Sequence, residues 1–264
     1  MNFIIIFVDD LGFGDLGSYG HPTIKTPNLD RMAKEGMRFT QFYVGSSICT
    51  PSRAALLTGK LPVQTGMYGK RSVLFPDNAG GLDPKEITIA SALKKNGYRT
   101  ACIGKWGIGT PDNFTNPNDV GFDHFYGYIN MWHAHNFYPE FLIRNGKVEK
   151  LQNEVAPKWK RWQDPKLAQA GQGVAIKKVQ YAPDLFTQDA LRFIKENKEN
   201  PFFLYFAMNV PHTNNEAGNQ GMEVPDIGEF DEKSWPEPEK GFAAMIKNID
   251  RDVGQIIDLI DELN

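Results

Sequence analysis

A continuous apolar run over residues 2–8 is followed directly by two adjacent carboxylates, Asp9 and Asp10. The run is rich in β-branched residues and far shorter than a membrane span, so it predicts a strand buried in a parallel sheet. A glycine-bearing loop, residues 11–14, comes next. Because ligand sites of open α/β sheets form at the carboxyl ends of strands, we expect Asp9 and Asp10 to lie at such a site.

Adjacent carboxylates repel each other unless a cation or hydrogen bonds offset their charge. Oxygen donors of this kind suit hard divalent ions such as calcium or magnesium. The alternative is that one of the two, Asp9 or Asp10, caps a turn while the other is solvated.

Predicted helices and strands alternate along most of the chain. Thr26 and Pro27 indicate an N-cap followed by proline at the first helical position, and Gly36 ends this helix. The other predicted elements are a strand over residues 38–44, helices over 51–57 and 88–96, a strand over 99–103, a helix over 184–197, a strand over 202–207 and a last helix from residue 238. The alternation predicts an α/β fold with a mainly parallel sheet sandwiched by helices.

Residues 107–181 are different, because they are rich in aromatic residues, Asn, Pro and Gly and show weak periodicity. We interpret this region as long loops over the sheet, a common place for residues that recognise substrate.

Composition excludes several classes of protein. The 264 residues are enough for one large α/β domain or two small ones. The hydrophobic fraction of 41% and the charged fraction of 23% are ordinary for a soluble globular protein. A formal net charge of −3 predicts no broad basic surface for nucleic acid, and no apolar run is long enough to predict a membrane span.

The two ends of the sequence leave expectations open. The start lacks the basic leader, long apolar stretch and cleavage site of a signal peptide, so either the protein stays in the cytoplasm or a leader is missing from this sequence. The last predicted helix leads into no strand, so we expect the domain to continue beyond residue 264.

The chain has two cysteines, Cys49 and Cys102, too few for a disulfide framework. Pro51 and the apolar residues behind it place Cys49 just before a helix N-terminus. The unpaired N–H groups at such an end favour an anion, and Arg53 in the first turn can direct its guanidinium to the same place. Sulfate and phosphate esters both fit this description. The alternatives for Cys49 are a structural thiol and a disulfide with Cys102.

Lys105 follows the predicted strand over residues 99–103, and His212 follows the strand over 202–207. Both should therefore lie at the same sheet edge as Asp9 and Asp10. The alternatives are a solvated surface lysine and a structural histidine.

A histidine pair, His133 and His135, lies in an aromatic stretch. The pair could bind a metal or a substrate, or simply pack against Trp132 and Phe137. Anion- or metal-friendly groups at successive strand ends are together typical of an active site.

These residues resemble a known family. Residues 49–59, Cys-Thr-Pro-Ser-Arg-Ala-Ala-Leu-Leu-Thr-Gly, are very similar to the signature of the type I, formylglycine-dependent sulfatases. Residues 9–12, 26–30 and 104–106 are similar to its other landmarks, in the expected order. The resemblance covers the whole chain and is closest to the N-terminal part of the arylsulfatase A and N-acetylgalactosamine-6-sulfatase branch.

The resemblance implies an alkaline-phosphatase-like fold, a calcium ion and a formylglycine made from Cys49 by a maturation enzyme. The hydrated aldehyde would attack sulfur, expel the alcohol and release sulfate as the aldehyde re-forms. The substrate would be a sulfated carbohydrate or an aryl sulfate ester, and a full-length form would be periplasmic or secreted.

The same resemblance assigns roles to individual residues. Calcium would be bound by Asp9, Asp10 and the modified Cys49. Arg53 would hold the formylglycine hydroxyl, and Lys105 would bind a sulfate oxygen. His212 would contact the sulfate or protonate the leaving oxygen.

Two departures from the family pattern stand out. Gly107 replaces a histidine that often follows the lysine by two residues, and we expect His135, or else His133, to take over part of its work or to contact the sugar. Residues 1–264 would form an incomplete catalytic domain, without the usual later Asp-Asn pair, a second lysine and the small C-terminal domain. Two other functions remain open at this point: a phosphonate or phosphodiester hydrolase of the same superfamily, and an inactive remnant that binds anions.

Overall fold

The structure, a computed structural model, describes residues 1–73, 81–109 and 116–263. The chain divides into two compact units, each built from two chain segments. The first unit contains Met1–Phe7 and Tyr43–Met208, and the second contains Val8–Phe42 and Asn209–Asn264.

Strands lie in the first unit. Among the described residues they are β1 (Phe3–Phe7), β2 (Arg99–Lys105), β3 (His124–Tyr128), β4 (Phe141–Arg144), β5 (Lys147–Lys150), β6 (Glu154–Val155), β7 (Ala175–Lys177) and β8 (Phe202–Ala207). Six of these strands form one sheet in the order β1-β8-β2-β3-β4-β5, and β6 pairs with β7. In this sheet β1, β8, β2 and β3 run parallel to one another, whereas β4 and β5 extend the sheet by antiparallel pairing. The predicted mainly parallel α/β fold is confirmed.

Helices flank this sheet, and two more form the second unit. Along the described chain the helices are α1 (Pro27–Glu35), α2 (Cys49–Thr58), α3 (Pro62–Thr65), α4 (Ile89–Lys95), α5 (Ala182–Glu196) and α6 (Glu237–Leu263). Of these, α1 and α6 belong to the second unit. None of the described helices has the length and apolar character needed to cross a membrane.

The core of the first unit explains why helices cover both faces of its sheet. On one face, Ala54 and Leu57 of α2 pack in a cluster with Trp106, Phe122 and Tyr205. Successive side chains along a strand point to opposite faces of the sheet. The other face therefore carries Tyr126 and Tyr128, whose rings meet the ring of Phe186 in α5 at 5.8 and 5.2 Å.

In the second unit, α1 packs against α6. A separate core consists of Ile24 and Phe230 together with Ala243, Ala244 and Ile246 of α6. Thr26 is the N-cap residue of α1, as predicted, but its side chain makes no capping hydrogen bond. Its hydroxyl instead accepts from the N–H of Gly17 at 2.9 Å and donates to Asp30 at 3.0 Å.

Three sequence predictions need correction. The described residues 38–44 form no strand, although their pattern alternates, because a strand requires hydrogen bonds to a neighbour and no described strand pairs with them. β1 is parallel as predicted, but it is only partly buried because it lies at one edge of the described sheet.

The third correction concerns residues 107–181, which are not only loops but contain β3 to β7. These strands are short, so they give little periodicity. Asn145 and Gly146 join β4 to β5 with φ values of 47° and 76°, which is the backbone of a tight hairpin turn. An Asn-Gly pair is a strong hairpin signal in a sequence. Residues 110–115 of this region lie outside the described residues.

Candidate active site

Cys49 is the first residue of α2, and its thiol is free and half-buried. Ile48 precedes it in extended backbone and has no side chain able to cap the helix. The first backbone N–H groups of α2 are therefore available at the helix entrance, where an anion is favoured. Cys102 lies in the core of the first unit, and burial raises the pKa of its thiol. Both thiols are free, so the two cysteines are not joined.

Two hydrogen bonds fasten the start of α2 to the end of β2. The hydroxyl of Thr50 donates to the backbone oxygen of Gly107 at 2.8 Å. One guanidinium nitrogen of Arg53 donates to the backbone oxygen of Lys105, also at 2.8 Å. Both bonds are buried, so the N-terminus of α2 and the carboxyl end of β2 form one fixed substructure.

The Arg53 guanidinium is completely buried. The nitrogen that donates to Lys105 also lies 3.3 Å from the hydroxyl of Tyr205, in β8. The centre of the guanidinium is 5.3 Å from the ring centroid of Phe7, in β1. Arg53 therefore holds α2 against three neighbouring strands. A solvent-exposed arginine on a helix surface could not position the helix in this way.

Lys105 is the last residue of β2, as expected for a residue at the carboxyl edge of the sheet, and its side chain is buried. Gly107 lies beside it with a φ of 71°, in the left-handed region. A Cβ at position 107 would stand 3.3 Å from Cδ of Arg53 and 3.6 Å from Cε of Lys105. The space beside Gly107 is therefore closely bordered by the two cationic side chains of the predicted site.

The other half of the predicted site lies in the second unit. Asp9 is buried, whereas Asp10 is exposed and has a φ of 64°, uncommon for a residue with a side chain. A carboxylate oxygen of Asp10 lies 3.5 Å from Nε2 of His212. Nδ1 of His212 donates to the backbone oxygen of Thr213 at 2.7 Å. This bond leaves Nε2 as the nitrogen that faces Asp10.

Backbone pairing explains why these residues meet. The N–H of Asp9 donates to the oxygen of Val210 at 3.3 Å, which joins the segment after β1 to the segment after β8. The sequence prediction that Asp10 and His212 share an edge agrees with their separation.

The donor chemistry of Asp9 and Asp10 fits calcium, because both are hard oxygen ligands. Within the described part of the chain, however, no group of three or more His, Cys, Asp or Glu side chains is arranged to hold a metal ion. Two carboxylates supply only part of the roughly six to eight oxygens that calcium takes. The metal site remains a prediction.

His133 and His135 lie in one short turn but have different surroundings. The His133 ring is buried, its Nε2 donates to the backbone oxygen of Phe141 at 2.8 Å, and a Cβ on Gly171 would overlap it. Burial lowers the pKa of His133 to about 3, although the bond to Phe141 opposes the shift. A neutral ring enclosed in this way has little freedom to contact a substrate.

His135 is also buried, and its ring centroid lies 6.0 Å from that of Trp132. Packing against Trp132 was the alternative considered from the sequence. The suggested role of His135 in turnover or in contact with the sugar stays a prediction.

Two contributors to the site were not singled out from the sequence. Thr50 lies inside the cysteine segment, but its use as a link to Gly107 depends on a residue 57 positions away. Tyr205 places a hydroxyl in the otherwise apolar strand β8. That isolated polar group was the available signal.

Comparisons with known proteins agree on one family. The family model described as Sulfatase matches residues 1–264. Human arylsulfatase A is 36% identical over 281 residues, and human N-acetylgalactosamine-6-sulfatase is 31% identical over 270 residues. These alignments cover 99% and 100% of this chain but 49% and 47% of the relatives. The chain thus spans about half the length of the curated relatives it matches.

The solved structure of Ps i-CgsB in complex with k-i-k-neocarrahexaose is similar to this chain, with a TM-score of 0.77 and 31% sequence identity. The match covers 100% of this chain and 55% of that one. The carbohydrate is a ligand of that protein.

Proposed function

Because this chain belongs to the sulfatase family, we propose that it carries the nucleophile-bearing part of an enzyme that hydrolyses the sulfate esters of a sulfated carbohydrate. The observation that supports this most directly is the fastening of α2 to β2 through Thr50 and Arg53. It places Cys49, at an anion-favouring helix end, in the same rigid substructure as the cationic end of β2.

Anion recognition is the first task of the site. The N-terminus of α2 offers backbone N–H groups and a positive partial charge. Lys105 adds an ammonium group, and a buried ammonium is stabilised by a nearby anion. A sulfate group has the charge and the oxygen acceptors to match both.

The nucleophile is proposed to come from Cys49. Converted to formylglycine by a maturation enzyme, residue 49 would supply a hydrated aldehyde with hydroxyl groups that a thiol lacks. Arg53 would position it, since its guanidinium is fixed by the backbone oxygen of Lys105 and by Tyr205. A nucleophile held by buried bonds loses little entropy when it reacts.

A bound calcium ion, held by Asp9 and Asp10, would polarise the sulfate oxygens. The chain's own residues would manage charge and protons. Lys105 would stabilise the negative charge that develops on the sulfate oxygens. His212, in its imidazolium form, would give the Nε2 proton to the leaving sugar oxygen and keep the Nδ1 proton bonded to the oxygen of Thr213.

The work of the histidine absent at position 107 is assigned to His135 rather than to His133. The reason is the state of His133, which is held neutral by burial and is bonded to the backbone oxygen of Phe141. His135 would either assist turnover at the sulfate or contact the sugar.

The test uses the full-length protein that carries residues 1–264, produced with and without a formylglycine-generating enzyme. Turnover of p-nitrophenyl sulfate and p-nitrophenyl phosphate is measured at matched concentrations, with Cys49→Ala as the inactive control. We expect sulfate turnover that depends on maturation and exceeds phosphate turnover. Equal rates for the parent chain and Cys49→Ala, or a preference for the phosphate ester, would contradict the proposal.

A further inference from the structure

Positive charge is concentrated in one part of this otherwise acidic protein. Residues 147–178 contain eight lysines and arginines against three acidic residues, a formal charge of +5, whereas the whole chain carries −3. The basic residues are Lys147, Lys150, Lys158, Lys160, Arg161, Lys166, Lys177 and Lys178. A patch of this sign attracts anions over the range of a Debye length.

The register of the sheet places one residue of this basic segment, Lys150, at the same edge as Lys105. Lys105 pairs with Tyr128 in β3, and Gly127 pairs with Ile143 in β4. Phe141, two residues beyond Ile143 towards that edge, pairs with Lys150 in β5. Lys150 is three strands from Lys105, and neighbouring strands are about 4.8 Å apart, so the two lie about 14 Å apart across the edge.

A groove of about 750 Å³ opens in this region of the first unit. Three lysines line it, namely Lys150, Lys160 and Lys177. We call it the lysine groove. Its lining also includes amide side chains, the carboxylates Glu140 and Glu154, and the apolar residues Phe141 and Pro165. Hydrogen-bonding groups together with apolar side chains suit a sugar chain, whose rings have both polar rims and apolar faces.

The lysines keep a net positive charge in the groove. Lys160 pairs with Glu140, and Lys177 pairs with Glu154 at 3.2 Å. Both lysine side chains remain about half exposed, at 51% and 55%. Within the described chain Lys150 has no ion pair with a carboxylate. A ligand with several anionic groups would find three cations in the lining of the groove.

Two tryptophans that are sequence neighbours of the lining residues Lys160 and Gln163 contact further cations. The Lys158 ammonium lies 5.2 Å from the ring centroid of Trp159, and the Arg161 guanidinium lies 4.8 Å from that of Trp162. Contacts of this kind hold a cation near the surface without neutralising its charge. The basic character of the region is therefore not cancelled by the two carboxylates.

We propose that the lysine groove binds the sulfated polysaccharide chain that continues beyond the ester being cleaved. This inference rests on the proposed function and narrows its substrate from any sulfated carbohydrate to a polymer with several sulfate groups. The groove would increase the enzyme's affinity for the polymer without taking part in the chemistry at residue 49.

Binding is tested first, because it needs no turnover and so can fail or succeed independently of the sulfatase activity. The affinity of the chain for fluorescently labelled dextran sulfate is measured across a salt series, with unsulfated dextran and polyphosphate as competitors. The variant Lys150→Gln/Lys160→Gln/Lys177→Gln is compared with Lys85→Gln/Lys95→Gln/Lys195→Gln. This control removes three exposed lysines of the same unit and changes the net charge equally.

We expect the groove variant to bind dextran sulfate about tenfold more weakly at low salt and with a shallower salt dependence, while the control changes about twofold or less. A second variant, Glu154→Gln, should bind more tightly because it frees Lys177 from its partner. A folding defect could weaken binding but would not produce this gain.

Activity gives the third readout. With matured protein, the groove variant should raise KM for a sulfated polymer and leave the turnover of p-nitrophenyl sulfate unchanged. Equal losses in the groove and control variants would overturn the proposal, as would no binding of dextran sulfate, equal binding of unsulfated dextran, or a polyphosphate affinity as high as that for dextran sulfate.

Discussion

The carboxylate of Asp250, in α6, accepts a hydrogen bond from the backbone N–H of Asn28 at 3.0 Å, across 222 residues of sequence. The same oxygen accepts from the N–H of Leu29 at 2.9 Å, and the second oxygen accepts from the Asn28 side-chain amide at 3.0 Å. Asp250 is buried. It therefore caps the N-terminus of α1 from another helix of the second unit and satisfies two N–H groups that would otherwise lack partners.

Replacing this carboxylate should destabilise the second unit. In Asp250→Ala, two N–H groups of α1 lose their acceptor and the helix end loses a favourable negative charge, so we expect a loss of about 2–3 kcal/mol. Urea unfolding followed by circular dichroism measures it. The control is Asp258→Ala, which removes an exposed partner of Arg31 and should cost less than about 1 kcal/mol. Equal losses in the two variants would contradict the capping role.

The same contact shows where sequence reasoning ends. The start of α1 was predictable because Thr26, Pro27 and Gly36 are local signals. The group that actually caps the helix was not predictable, since nothing near Asn28 points to a carboxylate 222 residues away. Local signals determine where a helix begins, whereas the fold decides which side chain satisfies its end.

The strands show a similar division. β8 was predicted with its exact bounds because six apolar residues in a row leave little choice. Residues 38–44 were also predicted as a strand, from an alternating pattern, but they form no strand among the described residues. Propensity alone does not make a strand, because its backbone groups need a paired neighbour.

The placement of some candidate residues was predictable for a topological reason. Asp10 and His212 were expected at the same sheet edge because each follows a strand, and they lie 3.5 Å apart. The burial of Arg53 beneath Lys105 and Gly107 was not expected, because a helix-surface arginine is usually exposed. Its contact with three strands depends on packing that no local pattern encodes.

Maturation at Cys49 is the first functional prediction. When the chain is produced with a formylglycine-generating enzyme, we expect the peptide around residue 49 to contain formylglycine, detected by peptide mass spectrometry. Cys49→Ala should abolish turnover, since a methyl group cannot supply the hydrated aldehyde. Cys102→Ala is the matched control: its thiol is buried in the core, so modification at residue 49 should persist. Only unmodified thiol at residue 49 would contradict the prediction.

Substitutions of Lys105 and of Arg53 should differ in their effects on activity and stability. Lys105→Gln removes a cation proposed to face the sulfate, so we expect kcat to fall at least about 100-fold with little change in the urea midpoint. Arg53→Lys loses the planar group that bonds Lys105 and Tyr205 in a buried place, and should cost about 2–3 kcal/mol of stability as well as activity. The comparison fails if both variants lose activity without any difference in stability.

Introducing a histidine at position 107 should not improve the enzyme. Gly107→His restores the histidine that sulfatases often have at this position, yet we expect a lower melting temperature and no gain in kcat. The backbone there has a φ of 71°, and a Cβ would stand 3.3 Å from the Arg53 side chain. Gly107→Ala separates the two effects because it keeps the backbone strain, about 1 kcal/mol, without the imidazole.

The complementary variant is His135→Ala, which we expect to lower kcat for p-nitrophenyl sulfate or for a sugar sulfate. A loss confined to the sugar sulfate would assign His135 to substrate recognition. Full activity on both substrates would show that His135 only packs against Trp132, and an active Gly107→His with raised kcat would show that the space beside Arg53 accepts an imidazole.

His133 should make the protein's stability depend on pH. Burial lowers its pKa to about 3, against an ordinary value of 6.5. Between these values the unfolded chain binds a proton at this ring that the folded chain does not bind. Its contribution to stability is therefore complete above pH 6.5 and is lost as the pH falls towards 3, by about 1.4 kcal/mol per pH unit in that window.

The experiment compares urea unfolding of the parent chain and His133→Gln at pH 7, 6, 5 and 4. The glutamine amide can still donate to the oxygen of Phe141 but takes up no proton, so His133→Gln should be less stable at pH 7 yet lose less stability on acidification. The pH dependence of the carboxylates and of the other histidines is present in both proteins and cancels in the difference. Parallel curves for the two proteins would mean that His133 is protonated in the folded state, and the assignment of His133 to a neutral, structural ring would then be wrong.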